Sequence, residues 1–187
     1  LHCRLHSFPT RRSSDLELPT SVSVAGTEIS VSHKLKTLGV TLDETLTLDN
    51  HVSDMVRICN YHLRALRQLR PSTTRDVANA MACSIVGSRL DYCNSLLVGA
   101  SAKNLDRLQR IQNNLARVVC NVNRRQGRSS DLLVDLHWLP VRARIEYKLA
   151  VTCYKAHRLG QPPYLHELLK PCARSQTLRS STSNMDC

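Results

Sequence analysis

Residues 101–120 read SAKNLDRLQRIQNNLARVVC, and this stretch decides the fold. Leu105, Leu108, Ile111, Leu115 and Val118 recur at intervals of three and four, the period of one helix face. Ser101 supplies an N-cap hydroxyl just ahead of that period, so the pattern predicts a helix running to about Cys120. The same period lies on either side of it. Val52, Val56, Cys59, Leu63 and Leu66 predict a helix that opens at Asp49 and ends before Pro71. Thr73 with Asp76 three residues on resembles a capping box and opens a helix to about Leu97, closed by Gly99. Gly87 interrupts that helix, so a kink or break is expected near Ser88. Further on, a short helix is expected over 130–136. Trp138-Leu139-Pro140 then turns the chain into a helix over 141–159 that Gly160 ends, and Pro162-Pro163 starts a last turn or two through Leu169.

Before Asp49 the period is different. In TSVSVAGTEISV (20–31), Val22 and Val24 alternate on one side of Ala25-Gly26-Thr27, and Ile29 and Val31 on the other, a hairpin pattern. A third strand is expected from Leu35 to Leu42, with Leu38, Val40 and Leu42 on one face. Three short strands make a poor domain alone. The expected class is therefore mainly α: a small β-hairpin and strand remnant followed by a helical bundle. Composition agrees, because 42% of the 187 residues are hydrophobic but only 4% are aromatic, leaving Leu, Val and Ala to pack the core.

The net charge is 26 − 15 = +11, and 20 of the 26 cations are Arg. That excludes a generic acidic enzyme and makes a polyanion the first partner to consider. The charge is unevenly spread: residues 1–50 sum to −1 and residues 51–187 to +12. On the 101–120 helix, Lys103, Arg107, Arg110, Asn114 and Arg117 recur at intervals of four and three opposite the apolar stripe. Cations at that spacing suit phosphates along a nucleic-acid strand, and the guanidinium fork matches phosphate oxygens. The plainer reading is a solvated face that keeps the helix soluble. Arg57, Tyr61 and Arg64 repeat the theme on the first helix, with Tyr61 able to stack on a base, while Arg67 and Arg70 spiral away from them. Arg124, Arg125 and Arg128 flank Gly127 in a basic loop, NVNRRQGRSS (121–130).

Catalytic patterns are missing from the sequence. There is no Gly-rich phosphate loop, no G-x-S-x-G and no H-E-x-x-H. Asp43-Glu44 are the nearest carboxylates to a metal pair, and they sit in a turn with no partner acid. Cys59-x-x-His62 and Cys153-x-x-x-His157 place two ligand types on one helix face, but both cysteines fall on apolar stripes, so no metal ligand is assigned. The eight cysteines are read as reduced, in a nuclear or cytoplasmic protein without a membrane span.

Two resemblances complete the reading. Residues 6–16, HSFPTRRSSDL, resemble the translation of a sequencing-library adapter and are set aside from fold reasoning. Five other strings resemble, in collinear order, the C-terminal part of the reverse transcriptase of LINE-type (non-LTR) retrotransposons. They are KTLGVTLDETLTLDNHV (36–52), ACSIVGSRLDYCNSLLVG (82–99), NLDRLQRIQNNLARVV (104–119), DLHWLPVRARIEYKLAVTCYKA (135–156) and GQPPYLHELL (160–169). The adapter match sets 1–16 apart as non-native and disordered, and the Ser/Thr-rich stretch 172–187, without apolar period, is expected to be a disordered tail. Between them the polymerase resemblance implies that 17–47 is a remnant of the palm, 48–126 a thumb-like region and 127–171 a connection region. Leu38-Gly39-Val40 would match the primer grip. The Tyr/Phe-Ala-Asp-Asp motif of the family does not occur here, so this piece is expected not to catalyse alone, and magnesium is expected only in the full polymerase. The implied partners are an RNA–DNA template–primer and the upstream palm and fingers. The alternatives are a translated remnant of a degenerate element and a helical protein-interaction module. Exposed strands and helix surfaces lead us to expect poor solubility.

Overall fold

The computed structural model describes residues 20–123 and 127–169, and the chain divides into two compact units between Asn50 and His51. Mainly helical, it carries two small antiparallel strand pairs ahead of the helices. Strand β1 (Ser21–Val24) pairs with β2 (Thr27–Ser30), Val22 opposite Ile29. Ala25 and Gly26 turn the chain with φ of 50° and 81°, the two-residue geometry that matches strand twist.

The single strand expected over Leu35–Leu42 is a second hairpin instead. Strand β3 (Lys34–Thr37) pairs with β4 (Val40–Asp43), Leu35 opposite Leu42. The chain reverses at Leu38 and Gly39, with φ of 46° and 78°. Gly39 enters that left-handed region freely, and one such residue beside another suffices to fold the run back on itself. Leu38 therefore stands exposed at the hairpin tip and does not share a face with Val40, which is buried, or with Leu42. Asp43 closes the hairpin as a clasp. Its carboxylate accepts from Thr45 Oγ1 at 3.0 Å, Thr47 N at 2.9 Å, Thr47 Oγ1 at 2.9 Å and Leu48 N at 3.1 Å. The Thr47 amide above all holds this carboxyl below its ordinary value. Asp43 thus has a turn-forming role, and Glu44 pairs with His33 across the hairpin base.

Helix α1 (Asp49–Leu69) buries His51, Val52, Met55, Cys59, Leu63 and Leu66. Val56, expected in the stripe, is half-buried, and Met55 takes the inner position. Burial pushes the Cys59 thiol up to about 11, so it packs as a neutral hydrophobe. Pro71 lies in a tight turn over Arg70–Ser72. The cap of helix α2 (Arg75–Ala82) is Thr74, one residue later than expected, and its side chain accepts from Val77 N at 3.4 Å. Thr73 Oγ1 instead donates to Arg70 O at 3.2 Å. The expected break near Ser88 is a π-helical turn over Cys83–Gly87 leading into the short helix α3 (Ser88–Asp91). Gly87 itself is helical, at φ −56° and ψ −48°. Ser84 Oγ bonds Met81 O at 3.1 Å and Ser88 Oγ bonds Ser84 O at 2.5 Å, the local competition that loosens a helix ladder.

A 3-10 turn over Asn94–Leu97 leads to helix α4 (Ala102–Cys120), bounded as its sequence predicts. Ser101 Oγ accepts from Asn104 N at 3.3 Å, and Asn121 terminates the helix with φ of 53°. Helix α5 (Ser129–Asp135), helix α6 (Val141–Leu159) and helix α7 (Pro163–Leu168) follow. Helices α2, α5 and α6 all contact α4. Gln112, almost fully buried on α4, donates to Leu139 O at 2.8 Å, while Gln109 Oε1 accepts from Val141 N at 2.9 Å. These amides satisfy both sides of the Pro140 corner, including an N–H that the first turn of α6 leaves without a helical partner. Cys59, Cys83, Cys93, Cys120 and Cys153 are free thiols. Among the described residues, no helix is long and apolar enough to cross a membrane.

Two outcomes follow for stability. A Cβ added at Gly87 would meet Ala82 O at 3.7 Å and Cys83 Cβ at 3.9 Å, ordinary contacts on a helical backbone. Gly87→Ala is therefore expected to stabilise the chain by about 0.5–1 kcal/mol in urea unfolding, and destabilisation would contradict the geometry. Burial lowers the affinity of His51 for a proton, with Asp54 opposing more weakly. The folded state thus binds fewer protons there, so its contribution is complete above the ordinary His value of about 6.5 and lost as pH falls through the depressed value. Helical CD followed through urea at pH 7 and pH 5 checks this: the wild type weakens on acidification, and His51→Gln weakens less.

Candidate nucleic-acid interface

The cations expected on α4 divide into two groups once the helix is packed. Lys103 and Arg110 are exposed. Arg107 is half-buried and reaches α1, with Nη2 donating to Ser53 Oγ at 3.1 Å and Nη1 to Asn104 Oδ1 at 3.4 Å. Arg117 is half-buried and donates to Asn123 O at 3.2 Å and Ser129 Oγ at 2.9 Å. The evenly solvated stripe expected from the spacing is thus partly a seam. Two neighbours cause this: the segment beyond α4 holds Arg117, and α1 lies along this side of α4, where Ser53 meets Arg107 and, seventeen residues later, Arg70 Nε donates to Val119 O at 3.0 Å. The two helices therefore run in the same direction.

That alignment builds a groove. About 420 Å³ of space lies between the C-terminal ends of α1 and α4, lined by Arg67, Arg70, Asn114, Arg117, Asn121 and Asn123 with Pro71 and two valines. Among the described residues, no acidic side chain lines it. Arg70 is held in place by Val119 O and by Thr73 O at 2.7 Å, and Arg117 by the contacts above. Both guanidiniums bond neutral oxygens, so each keeps its full charge while its geometry is fixed. Three guanidiniums and three carboxamides can together bind an anion with several oxygens, such as a phosphodiester.

Of the first-helix residues, Tyr61 is exposed and meets His62 edge-on with ring centroids 5.3 Å apart. Arg64 is exposed, and Arg57 pairs with Asp54 at 3.0 Å on the surface. Arg57, Tyr61, Arg64 and Arg67 follow one another at intervals of four and three, a solvent-facing row that ends in the groove. Arg124 and Arg125 lie outside the described residues, as do the adapter-like residues 6–16 and the C-terminal tail. Leu38-Gly39-Val40 belong to the separate N-terminal unit. Sequence periodicity missed Arg67, Arg70, Asn121 and Asn123 as site residues. The available signal was the pair of arginines in the turn before Pro71, but only the packing of α1 on α4 shows what they face.

Among the described residues, no three His, Cys, Asp or Glu side chains are grouped to hold a metal ion. No protein-family model matches the chain, and no curated protein or solved structure is significantly similar to it.

Arg67, near the end of α1, and Arg70, in the turn that follows it, separate surface from fold. Arg70→Ala leaves Val119 O and Thr73 O without their donor and is expected to cost about 1–2 kcal/mol. Exposed Arg67→Ala should stay within about 0.5 kcal/mol. Urea unfolding of the two variants decides, and equal effects would reject the capping role of Arg70.

Proposed function

We propose that this chain is a piece of an RNA-directed DNA polymerase of the non-LTR retrotransposon type and contributes a helical arm that holds the template–primer. The observation that carries the reading is the groove of Arg67, Arg70 and Arg117 with three asparagines and no acid. The five collinear strings resembling that family support it independently. A duplex held behind a polymerase centre is gripped by backbone and shape, which calls for cations and amides rather than base-reading groups. Lys103, Arg107, Arg110 and Asn114 extend the positive surface along α4, and Arg57, Tyr61 and Arg64 extend it along α1. Arg124 and Arg125 belong to the same basic segment of sequence. Leu38, left-handed and exposed at its hairpin tip, has the strained apolar character of a contact residue and supports a primer-grip role. Magnesium belongs in this reading to the upstream palm.

A second reading, a helical protein-interaction module, is favoured by one observation. Helix α6 exposes Tyr147, Leu149, Tyr154 and Leu159.

The test is titration of the full chain with a labelled RNA–DNA primer–template over a range of salt concentrations. Saturable affinity is expected to fall steeply with salt, as phosphate contacts release counterions. Arg67→Glu combined with Arg110→Glu, both at exposed positions, should weaken binding by about tenfold or more. Salt-independent binding, or an unaffected double variant, would reject the nucleic-acid reading.

A further inference from the structure

The helical unit holds a second cleft, of about 350 Å³, between the Asn94–Leu97 turn and the start of α6. Asn94 is 4% exposed, and its Oδ1 is buried without a hydrogen-bond partner. A buried carboxamide oxygen in this state has lost its water and gained nothing, so it calls for a donor from a ligand. The same cleft is lined by His137, Tyr147 and Lys148, all exposed, with Tyr147 presenting 64% of its surface. The remaining charged groups are already satisfied. Arg144 Nη1 donates to both carboxylate oxygens of Asp91 at 2.9 and 2.8 Å, and Arg144 Nε donates to Leu139 O at 2.8 Å. Among the described residues that line the cleft, Lys148 is thus left as the free charge.

We propose that this cleft binds an unstacked nucleobase of a single strand. The base edge donates an N–H to Asn94 Oδ1, its ring stacks on Tyr147 or His137, and the neighbouring phosphate meets Lys148. Each part answers a feature of the cleft. An acceptor that is buried and fixed selects a rigid N–H donor, exposed rings select a planar ligand, and a lone ammonium selects one anionic group. The volume lies in the range of small-ligand sites, about 300–1,000 Å³, and suits one nucleotide rather than a helix. A base inside a duplex has both ring faces covered by its stacked neighbours, so the cleft discriminates against duplex. Choosing a nucleobase over another planar amide rests on the nucleic-acid reading above; the cleft itself shares no lining residue with the α1–α4 groove.

Equilibrium dialysis of the full chain against adenosine, AMP and ribose 5-phosphate tests the proposal. Adenosine and AMP are expected to be retained saturably, and ribose 5-phosphate about tenfold more weakly or not at all. Tyr147→Ala, at an exposed position that the fold does not need, should weaken AMP by about tenfold. Asn94→Leu should weaken both adenosine and AMP while helical CD is retained. If ribose 5-phosphate is held as well as AMP, the phosphate alone is recognised and the proposal fails. It fails equally if adenosine is not retained, or if Tyr147→Ala binds AMP like the wild type. Salt-independent primer–template binding alongside intact adenosine binding would overturn the earlier reading and leave this one standing.

Discussion

The helical unit depends on the burial of α4, and in particular on its two glutamines, Gln112 in the interior and Gln109 half-buried beside it. Gln112 is almost inaccessible, and an amide in that position costs stability unless each of its polar atoms is engaged. It donates to Leu139 O and accepts from Gln109, whose oxygen takes the N–H of Val141. The chain is thereby held on both sides of Pro140, and α6 leaves in one direction. Arg144, one turn into α6, then reaches Asp91, and the turn at Asn94 closes against the same helix. An apolar side chain at position 112 would fill the space but remove one of the two donors to Leu139 O, leaving Arg144 Nε alone there, and the oxygen that orients Gln109 toward Val141. The polar pair supplies direction as well as contact.

Much of this was legible in residue order, because much of it is local. Helix ends at Ser101, Pro71 and Gly160 depend on side chains within one turn, and a capping hydroxyl or a missing N–H acts whatever packs nearby. Two errors were also local, though finer than periodicity resolves. Thr73 and Thr74 are equally good caps on paper, and what separates them is that Thr73 is already committed to Arg70 O. Leu35–Leu42 reads as one apolar strand because Leu38 fits the alternation, yet Leu38-Gly39 is a turn, at the cost of a leucine in the left-handed region. What lay beyond reach was long-range. Val119 O has no donor from its own helix, and nothing in 101–120 announces that Arg70 will supply one. Gln112 lies four residues after Leu108 and three before Leu115, so its place on the apolar face is legible, whereas its partner Leu139 O is not.

The arginines show why charge counting and structure lead to different maps of the same surface. Of those that bridge distant segments in the helical unit, Arg75 and Arg144 meet carboxylates, Asp135 and Asp91, and their charge is locally cancelled. Arg70, Arg107 and Arg117 meet carbonyls, hydroxyls and amides, and theirs is not. A guanidinium bonded to a neutral oxygen loses freedom without losing charge, so structural duty and an electropositive surface coexist in one residue. The sum of +12 over residues 51–187 therefore overstates the charge beside Asp91 and Asp135, and understates how ordered it is beside Val119.

The N-terminal unit obeys different physics. Its hairpins have regular registers and turns, but Val22, Val24, Ile29, Val31 and Leu35 are all about half exposed or more. A two-stranded ribbon offers most side chains one cross-strand neighbour, and of these strands only Val40 is buried, so backbone pairing must hold them with little apolar burial. Asp43 compensates locally by gathering two amides and two hydroxyls, and it holds them most strongly while ionised. In the helical unit, Leu108, Leu115, Val86 and Val119 are nearly inaccessible, and burial on that scale supplies stability whatever the charge state. The strands therefore form the less stable part of the chain and the more open to pairing with other strands, because their apolar side chains and backbone edges reach the solvent together.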